Sequence, residues 1–144
     1  ILSRSYLNLR EKEGPNGAYP RLLEAYTWKF NWGYQDGYPD LQIVQDSFLF
    51  TLFLLTRYGG DWKTNLFYED LFLRAFPAVV KEIPAAPWQT AEELIRRCYS
   101  LRCLERFAAY MGLIDIRWES EKRLGQQFNL KKLPLLDEAV RFHL

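Results

Sequence analysis

The sequence predicts a mainly α-helical fold of the α+β class, with about five helices and a small antiparallel β-hairpin near the C-terminus. From residue 94 to residue 111, apolar residues recur at steps of three and four, which is the spacing of one face of an α-helix. From residue 113 the period changes to two, as in a half-buried strand, and a second short apolar strand follows. We expect a long helix that leads into a hairpin over residues 113–132, within a single domain that spans residues 1–144.

The long helix is expected to lie in the middle of the core. Thr90 and Glu93 have the spacing of a capping box, and Trp88 just before them is expected to pack on Leu94. Gly112 suits the end of the helix because it adopts the left-handed conformation at little cost. Two apolar stripes run along the helix, so we expect packing from two sides. They comprise Leu94, Cys98, Leu101, Leu104, Ala108 and Met111, and Ile95, Tyr99, Cys103, Phe107 and Tyr110.

A long helix followed by a strand, a polar link and a second strand has the order of the back half of a winged-helix module. Between residues 117 and 132 there are five basic residues and two acidic ones. A basic wing contacts phosphates, while a helix enters a groove of the DNA. A charged hairpin that is only solvated is the alternative, and the two apolar stripes leave the helix little surface to enter a groove. The candidate nucleic-acid contacts are Arg117, Lys122, Arg123, Lys131 and Lys132.

Other helices are indicated by glycine and proline breaks and by apolar spacing. The GPNG stretch at residues 14–17 predicts a break in the chain. The glycines at positions 59 and 60 predict the end of a strongly apolar helix. In chain order, we expect a helix that begins at Pro20, a helix over residues 41–58 and a helix that begins at residue 61 or 64 and ends at 76. A helical turn or short helix is expected at 78–83, and a last short helix at 135–142.

Aromatic residues are concentrated between residues 26 and 38. The simpler interpretation is that they fix a long loop on the helical core, and the alternative is a stacking platform for bases or sugars. The helix over residues 41–58 has almost no polar face, so it is either buried all round or lies in an interface. We therefore expect a protein interface over residues 28–55. Its candidate residues are Trp28, Trp32, Phe50 and Leu54.

Composition limits the classes of function. The net charge is +1, so the chain as a whole does not attract nucleic acid or a membrane surface. The most apolar run, residues 48–55, is too short to span a bilayer. Cys98 and Cys103 point about 140° apart on a helix, which favours free thiols and a cytoplasmic location. Because the first residue is Ile1, we expect the C-terminal part of a longer protein.

No pattern in the chain carries a recognisable chemistry, so we predict no catalytic residue, no metal ligand and no cofactor. Glycine-rich nucleotide-binding motifs are absent from the sequence. His143 is the one histidine, which argues against a zinc site and against a histidine relay. Glu119 and Glu121 lack the lysine two residues later that a magnesium-dependent nuclease would have.

Several carboxylates are interpreted as structural. Asp46 and Glu105 lie among apolar residues and are expected to be satisfied by an arginine or a backbone amide, with Arg57, Arg102 and Arg106 as the candidates. A buried general acid is the alternative for either carboxylate. Asp36 and Asp40 are expected to form turns, and an oxygen-ligand metal loop is the weaker alternative. A solvated charged face is expected for Lys63, Glu69, Asp70 and Arg74.

The stretch CYSLRCLERFAAYMGLIDI, followed by FNLKKLPLLDEAVRFHL, resembles the C-terminal part of uncharacterised bacterial proteins, some of them associated with plasmids and mobile elements. The resemblance covers about the last third of the chain and rests mostly on core residues. It implies a bacterial, cytoplasmic protein, and it carries no catalytic residue over to this chain.

We therefore expect a non-enzymatic protein-interaction domain whose partner is another domain of the same protein or a protomer. The alternative is a winged-helix-like DNA-binding module that uses the hairpin over residues 113–132 as its wing. The third hypothesis is an accessory domain of an uncharacterised enzyme. No membrane partner is expected.

Overall fold

A computed structural model describes residues 4–34, 36–83, 88–119 and 127–142. Over these residues the chain is mainly helical, with a small antiparallel sheet, which confirms the predicted fold class. The chain divides into two compact units, Ile1–Asn31 and Trp32–Leu144. That the two form a single domain stays a prediction.

The first unit contains one helix, α1, over Arg4–Lys29. The break predicted at residues 14–17 is a kink inside this helix, where Gly14 has a φ of 73°. Only glycine adopts this conformation readily. Pro20 lies within α1, so the prediction that it begins a helix is wrong. Near the end of α1 the rings of Tyr26 and Phe30 stack with their centroids 4.9 Å apart.

The second unit contains the remaining helices. The number of helices exceeds the predicted five or so because two of the predicted helices are each divided into two. Residues 41–58 form two helices that are separated at Ser47, and the long helix changes from α to π geometry at Ser100. We call Ala91–Ala109 the central helix. The elements are α2 (Gln42–Asp46), α3 (Phe48–Tyr58), α4 (Asn65–Ala75), a 3₁₀-helix (Pro77–Glu82), α5 (Ala91–Tyr99) with its π-helical continuation (Ser100–Ala109), and α6 (Pro134–Ala139).

The sheet has three antiparallel strands in the order β1-β3-β2. The predicted hairpin is confirmed as β2 (Ile114–Trp118) and β3 (Phe128–Lys132). The two-residue strand β1 (Lys63–Thr64), which pairs with β3, was not predicted. In chain order, β1 lies between α3 and α4, and β2 and β3 follow the central helix, with β1 beside β3 in the sheet.

The central helix runs through the core, as its two apolar stripes predict. Tyr99 stacks on Phe72 at 4.4 Å between ring centroids, and Phe107 packs on Trp32 at 4.8 Å. Gly112 has the predicted left-handed conformation, with a φ of 71°. Tyr110 is exposed, so the second stripe ends before it. The fully buried members are Ile95, Cys98, Tyr99, Cys103, Leu104, Phe107 and Ala108.

A buried ion pair fixes the loop that precedes α2. The Asp36 carboxylate accepts hydrogen bonds from Nε of Arg102 at 2.7 Å and from its Nη2 at 3.1 Å, and both side chains are buried. Nη2 also donates to the carbonyl of Pro39 at 3.0 Å. Asp36 accepts from the backbone N–H of Tyr38, which confirms its predicted role in a turn. Burial acts to raise the pKa of Asp36, but the hydrogen bonds from Arg102 and Tyr38 outweigh it and the pKa is lowered.

Replacement of Asp36 tests whether this ion pair holds the loop. Asp36→Ala would leave the Arg102 guanidinium buried without its carboxylate, so we expect the free energy of unfolding to fall by about 3–5 kcal/mol. Urea denaturation followed by circular dichroism measures this change. Asp40→Ala removes an exposed carboxylate of the same loop and should change it by less than about 0.5 kcal/mol. Equal losses for the two variants would contradict this role of the pair.

Candidate interaction face

The exposed surface formed by α4, the 3₁₀-helix and the start of the central helix is the candidate functional surface, and we call it the α4–α5 face. It contains a cleft of about 120 Å³ and a groove of about 500 Å³. Arg96 lines both. Three apolar residues, Leu73, Pro77 and Val80, line the groove together with two acidic and two basic ones. We include in the face the exposed Trp88, which lies two residues before Thr90, together with the residues that line the two hollows: Leu66, Asp70, Leu73, Arg74, Pro77, Val80, Glu92, Glu93, Arg96 and Arg97.

The first turn of the central helix is fixed by the predicted capping box. The Glu93 N–H donates to Thr90 Oγ1 at 3.2 Å, and the Thr90 N–H donates to Glu93 Oε2 at 3.0 Å. The hydrogen bond from the Thr90 backbone lowers the pKa of Glu93. Trp88 does not pack on Leu94 as predicted, because it exposes 84% of its surface. The face therefore begins with an exposed indole and a negatively charged helix turn.

Glu69 is buried beneath this face, which corrects its predicted place on a solvated surface. It is 3% exposed, and its Oε1 accepts hydrogen bonds from Asn65 Nδ2 at 2.8 Å and from Ser100 Oγ at 2.6 Å. Desolvation raises the pKa of Glu69 despite these hydrogen bonds and the positive charge of Arg96. Asn65 also accepts a hydrogen bond from the Phe128 N–H through its Oδ1 at 3.1 Å. The network thus joins α4, the central helix and β3.

Exposed charges on the α4–α5 face balance. Arg96 contacts Asp70 at 2.6 Å and Glu92 at 2.8 Å, and its distance to the buried Glu69 is 3.7 Å. Glu93 and Arg97 lie on the rim of the small cleft. Three outer carboxylates, those of residues 70, 92 and 93, are therefore set against three guanidinium groups, those of residues 74, 96 and 97. The surface has no positive excess with which to attract phosphate.

The candidate nucleic-acid contacts on the hairpin are largely engaged with neighbours. The Arg117 guanidinium lies over the Trp62 ring at 4.0 Å. Lys131 lies opposite Asp115 in the register of β2 and β3. Lys132 contacts Asp137 at 2.7 Å. The structure places Arg117 and Lys131 on the outer face of the sheet, while Lys122 and Arg123 lie outside the described residues.

The candidate interface residues between positions 28 and 55 do not form one exposed surface. Trp32 and Leu54 are buried in the core of the second unit, so neither is available to a partner. Phe50 is half-buried and packs edge-to-face on Phe76 at 5.4 Å. Trp28 is exposed, but it belongs to the first unit. Of the aromatic residues between positions 26 and 38, only Trp32 is buried in the core, whereas Trp28, Phe30 and Tyr34 are exposed, so the simpler interpretation holds only at Trp32.

The structure gives the positions of the carboxylates and thiols that the sequence singles out. Asp46 is exposed and accepts a hydrogen bond from Gln42, and Glu105 is half-exposed, so the prediction that these two carboxylates are buried is wrong. The carboxylates that the structure buries are those of Glu69 and Asp36. The free thiols of Cys98 and Cys103 are buried, as predicted. Burial raises the pKa of Cys98 to about 12, so its thiol is not activated.

Metal-ligand clusters and membrane-spanning helices were sought among residues 4–142, except positions 35, 84–87 and 120–126. These residues contain no cluster of three or more histidine, cysteine or acidic side chains suited to a metal ion. None of their helices combines the length and apolar character needed to cross a bilayer. His143 and Glu121, which bear on the zinc and nuclease hypotheses, lie outside the described residues.

No family model, curated protein or solved structure matches the chain.

Sequence reasoning missed the buried polar network. Asn65 and Glu69 are four residues apart, which is the spacing of neighbours on one helix face, so their mutual contact could have been predicted. Their contact with Ser100 depends on how α4 packs against the central helix, and no local pattern signals it. The cleft of the α4–α5 face was missed for the same reason.

The raised pKa of Glu69 predicts how stability depends on pH. Between its ordinary value of 4.5 and its raised value in the fold, the folded state binds more protons than the unfolded state. Stability contributed by this group is therefore lost as pH rises through that interval. Glu69→Gln keeps the oxygen acceptor and removes the titration, so we expect its stability relative to the parent to increase as pH rises and then to level off.

Urea denaturation of the two proteins from about pH 4 to about pH 8 measures this difference. The depressed pKa of Asp36 acts in the opposite direction, causing a loss of stability as pH falls, but it is common to both proteins and cancels in the comparison. A difference that stays constant over the whole range would contradict the raised pKa of Glu69.

Proposed function

We propose that the second unit is a non-enzymatic binding module of the winged-helix type that docks on another protein through its α4–α5 face. The observation that carries this proposal is the composition of the face: its groove of about 500 Å³ is lined by the apolar Leu73, Pro77 and Val80 together with equal numbers of acidic and basic side chains. Apolar centres with a polar rim are typical of protein interfaces.

The exposed apolar residues of the face support the same proposal. Leu66 exposes 42% of its surface and Trp88 exposes 84%. Tryptophan is enriched among the residues that dominate binding energy at protein interfaces, and it loses little conformational freedom on binding. A surface that contacts phosphates would instead present lysine and arginine in excess. The first turn of the central helix presents the acidic Glu92 and Glu93 instead.

A second copy of the chain is the partner that this face fits best. In a two-fold interface the same patch meets itself, so it must be complementary to itself. Balanced charges allow this, because the acidic residues of one copy can face the basic residues of the other. The sequence left two partners open, a protomer and another domain of the same protein, and of these we propose the protomer.

Sedimentation velocity over a range of concentrations tests the proposal. The parent should associate as concentration rises, and Leu66→Asp with Trp88→Asp should weaken association by at least about tenfold, because the apolar contacts are replaced by like charges. The matched control carries Leu49→Asp and Tyr110→Asp. Like the face variant, it replaces one aliphatic and one aromatic residue, but both lie outside the face, where they expose 51% and 79% of their surface.

Association of the control should equal that of the parent. If the face variant and the control associate equally, the face is not the site of contact. If the parent stays monomeric at every concentration, a protomer is not the partner and the proposal fails in its present form.

DNA binding is the second candidate function. It is favoured by the order of elements, which is that of a winged helix, and by the exposed Arg117 on the outer face of the hairpin. Guanidinium groups on a wing contact phosphates, and each contact adds to the salt dependence of binding. The balanced charge of the α4–α5 face argues against this function, because the helix would bring Glu92 and Glu93 towards the DNA.

If the hairpin binds DNA, Arg117→Gln with Lys131→Gln should weaken binding to a duplex and reduce its dependence on salt concentration by about one ion for each lost contact. Anisotropy of a labelled random-sequence duplex at several salt concentrations measures both quantities. Lys132 is left in place because its loss would also break the contact with Asp137. A parent that does not bind at low salt eliminates this second candidate.

A further inference from the structure

A groove of about 510 Å³ lies between the second half of α3 and the residues that follow α6. We call it the α3–α6 groove. Its volume lies in the range of sites for small molecules, roughly 300–1,000 Å³. None of its residues belongs to the α4–α5 face. It is lined by Phe53, Thr56, Arg57, Asp137, Val140, Arg141 and Phe142.

One part of the groove is aromatic and apolar. The rings of Phe53 and Phe142 meet edge-to-face with their centroids 5.7 Å apart, and Val140 lies beside them. Aromatic rings favour further rings in offset or edge-to-face contact. This part of the groove is therefore suited to a flat apolar ring.

The charged part of the groove carries a positive surplus. The guanidinium groups of Arg57 and Arg141 are exposed, and neither pairs with a carboxylate in the part of the chain that the structure describes. Asp137 also lines the groove, but Lys132 contacts its carboxylate at 2.7 Å and balances its charge. Two uncompensated guanidinium groups beside an apolar wall favour an anion, and arginine binds carboxylates through paired hydrogen bonds.

We infer that the α3–α6 groove is a binding site for a small aromatic carboxylate, with its ring against Phe53, Val140 and Phe142 and its carboxylate between Arg57 and Arg141. Charge complementarity selects an anion, and the edge-to-face aromatic pair beside a groove of about 510 Å³ selects a small ring compound. This site is independent of the protein-docking function proposed for the α4–α5 face.

Isothermal titration calorimetry with 2-naphthoate tests the site, and the neutral 2-naphthamide serves as the matched probe. The parent should bind the carboxylate at least about tenfold more tightly than the amide, because the neutral amide carries no negative charge with which to pair with the two guanidinium groups. Arg57→Gln with Arg141→Gln should reduce the affinity for 2-naphthoate by about tenfold or more. Arg21→Gln, which replaces an exposed arginine of α1, is the control and should leave this affinity unchanged.

A measurement on the parent keeps the test independent of how the variants fold. In a nuclear magnetic resonance titration with 2-naphthoate, the backbone amides of Thr56 and Val140 should shift. The assignment is overturned if the parent does not bind 2-naphthoate or binds the amide equally well. It is also overturned if the control and the double variant change the affinity equally, or if the shifts are confined to other residues. Tighter binding of a hexapeptide that ends in phenylalanine would overturn it in favour of a peptide-docking groove.

Discussion

The second unit depends on the side-chain amide of Asn65. This one buried group donates to Glu69 in its own helix and lies 3.3 Å from Ser100 Oγ in the central helix, while its oxygen accepts from the backbone of β3 at Phe128. A buried amide with fixed partners specifies one arrangement of the elements that it joins, because any other arrangement leaves polar groups without hydrogen bonds. The two helices and β3 are thereby held in one geometry.

The surface chemistry of the module follows from this network. Since Glu69 is withdrawn into the interior, Arg96 forms its short contacts with the outer carboxylates of Asp70 and Glu92. The α4–α5 face is left with equal numbers of acidic and basic groups around a groove that Leu73, Pro77 and Val80 also line. A face with balanced charge is better suited to another protein than to a phosphate backbone, and this charge balance is the basis of the proposed function.

Much of the fold was predictable because its signals are local. The capping box at Thr90, the left-handed Gly112 and the alternation in the hairpin depend on residues close in sequence, and all three are confirmed. The site was less predictable because it depends on tertiary packing. Glu69 lies among charged residues in the sequence, and only the contact between α4 and the central helix buries it. The strand β1 was missed because two residues carry no periodicity.

The central claim is that the α4–α5 face binds a second copy of the chain, and amide hydrogen exchange at low and at high protein concentration tests it most directly. Exchange reports which backbone segments become protected when the chain associates. The account predicts added protection at high concentration over residues 65–80 and 88–97, with little change in β2 and β3. Protection gained in the hairpin or in α2 and α3, with none at the face, would contradict it.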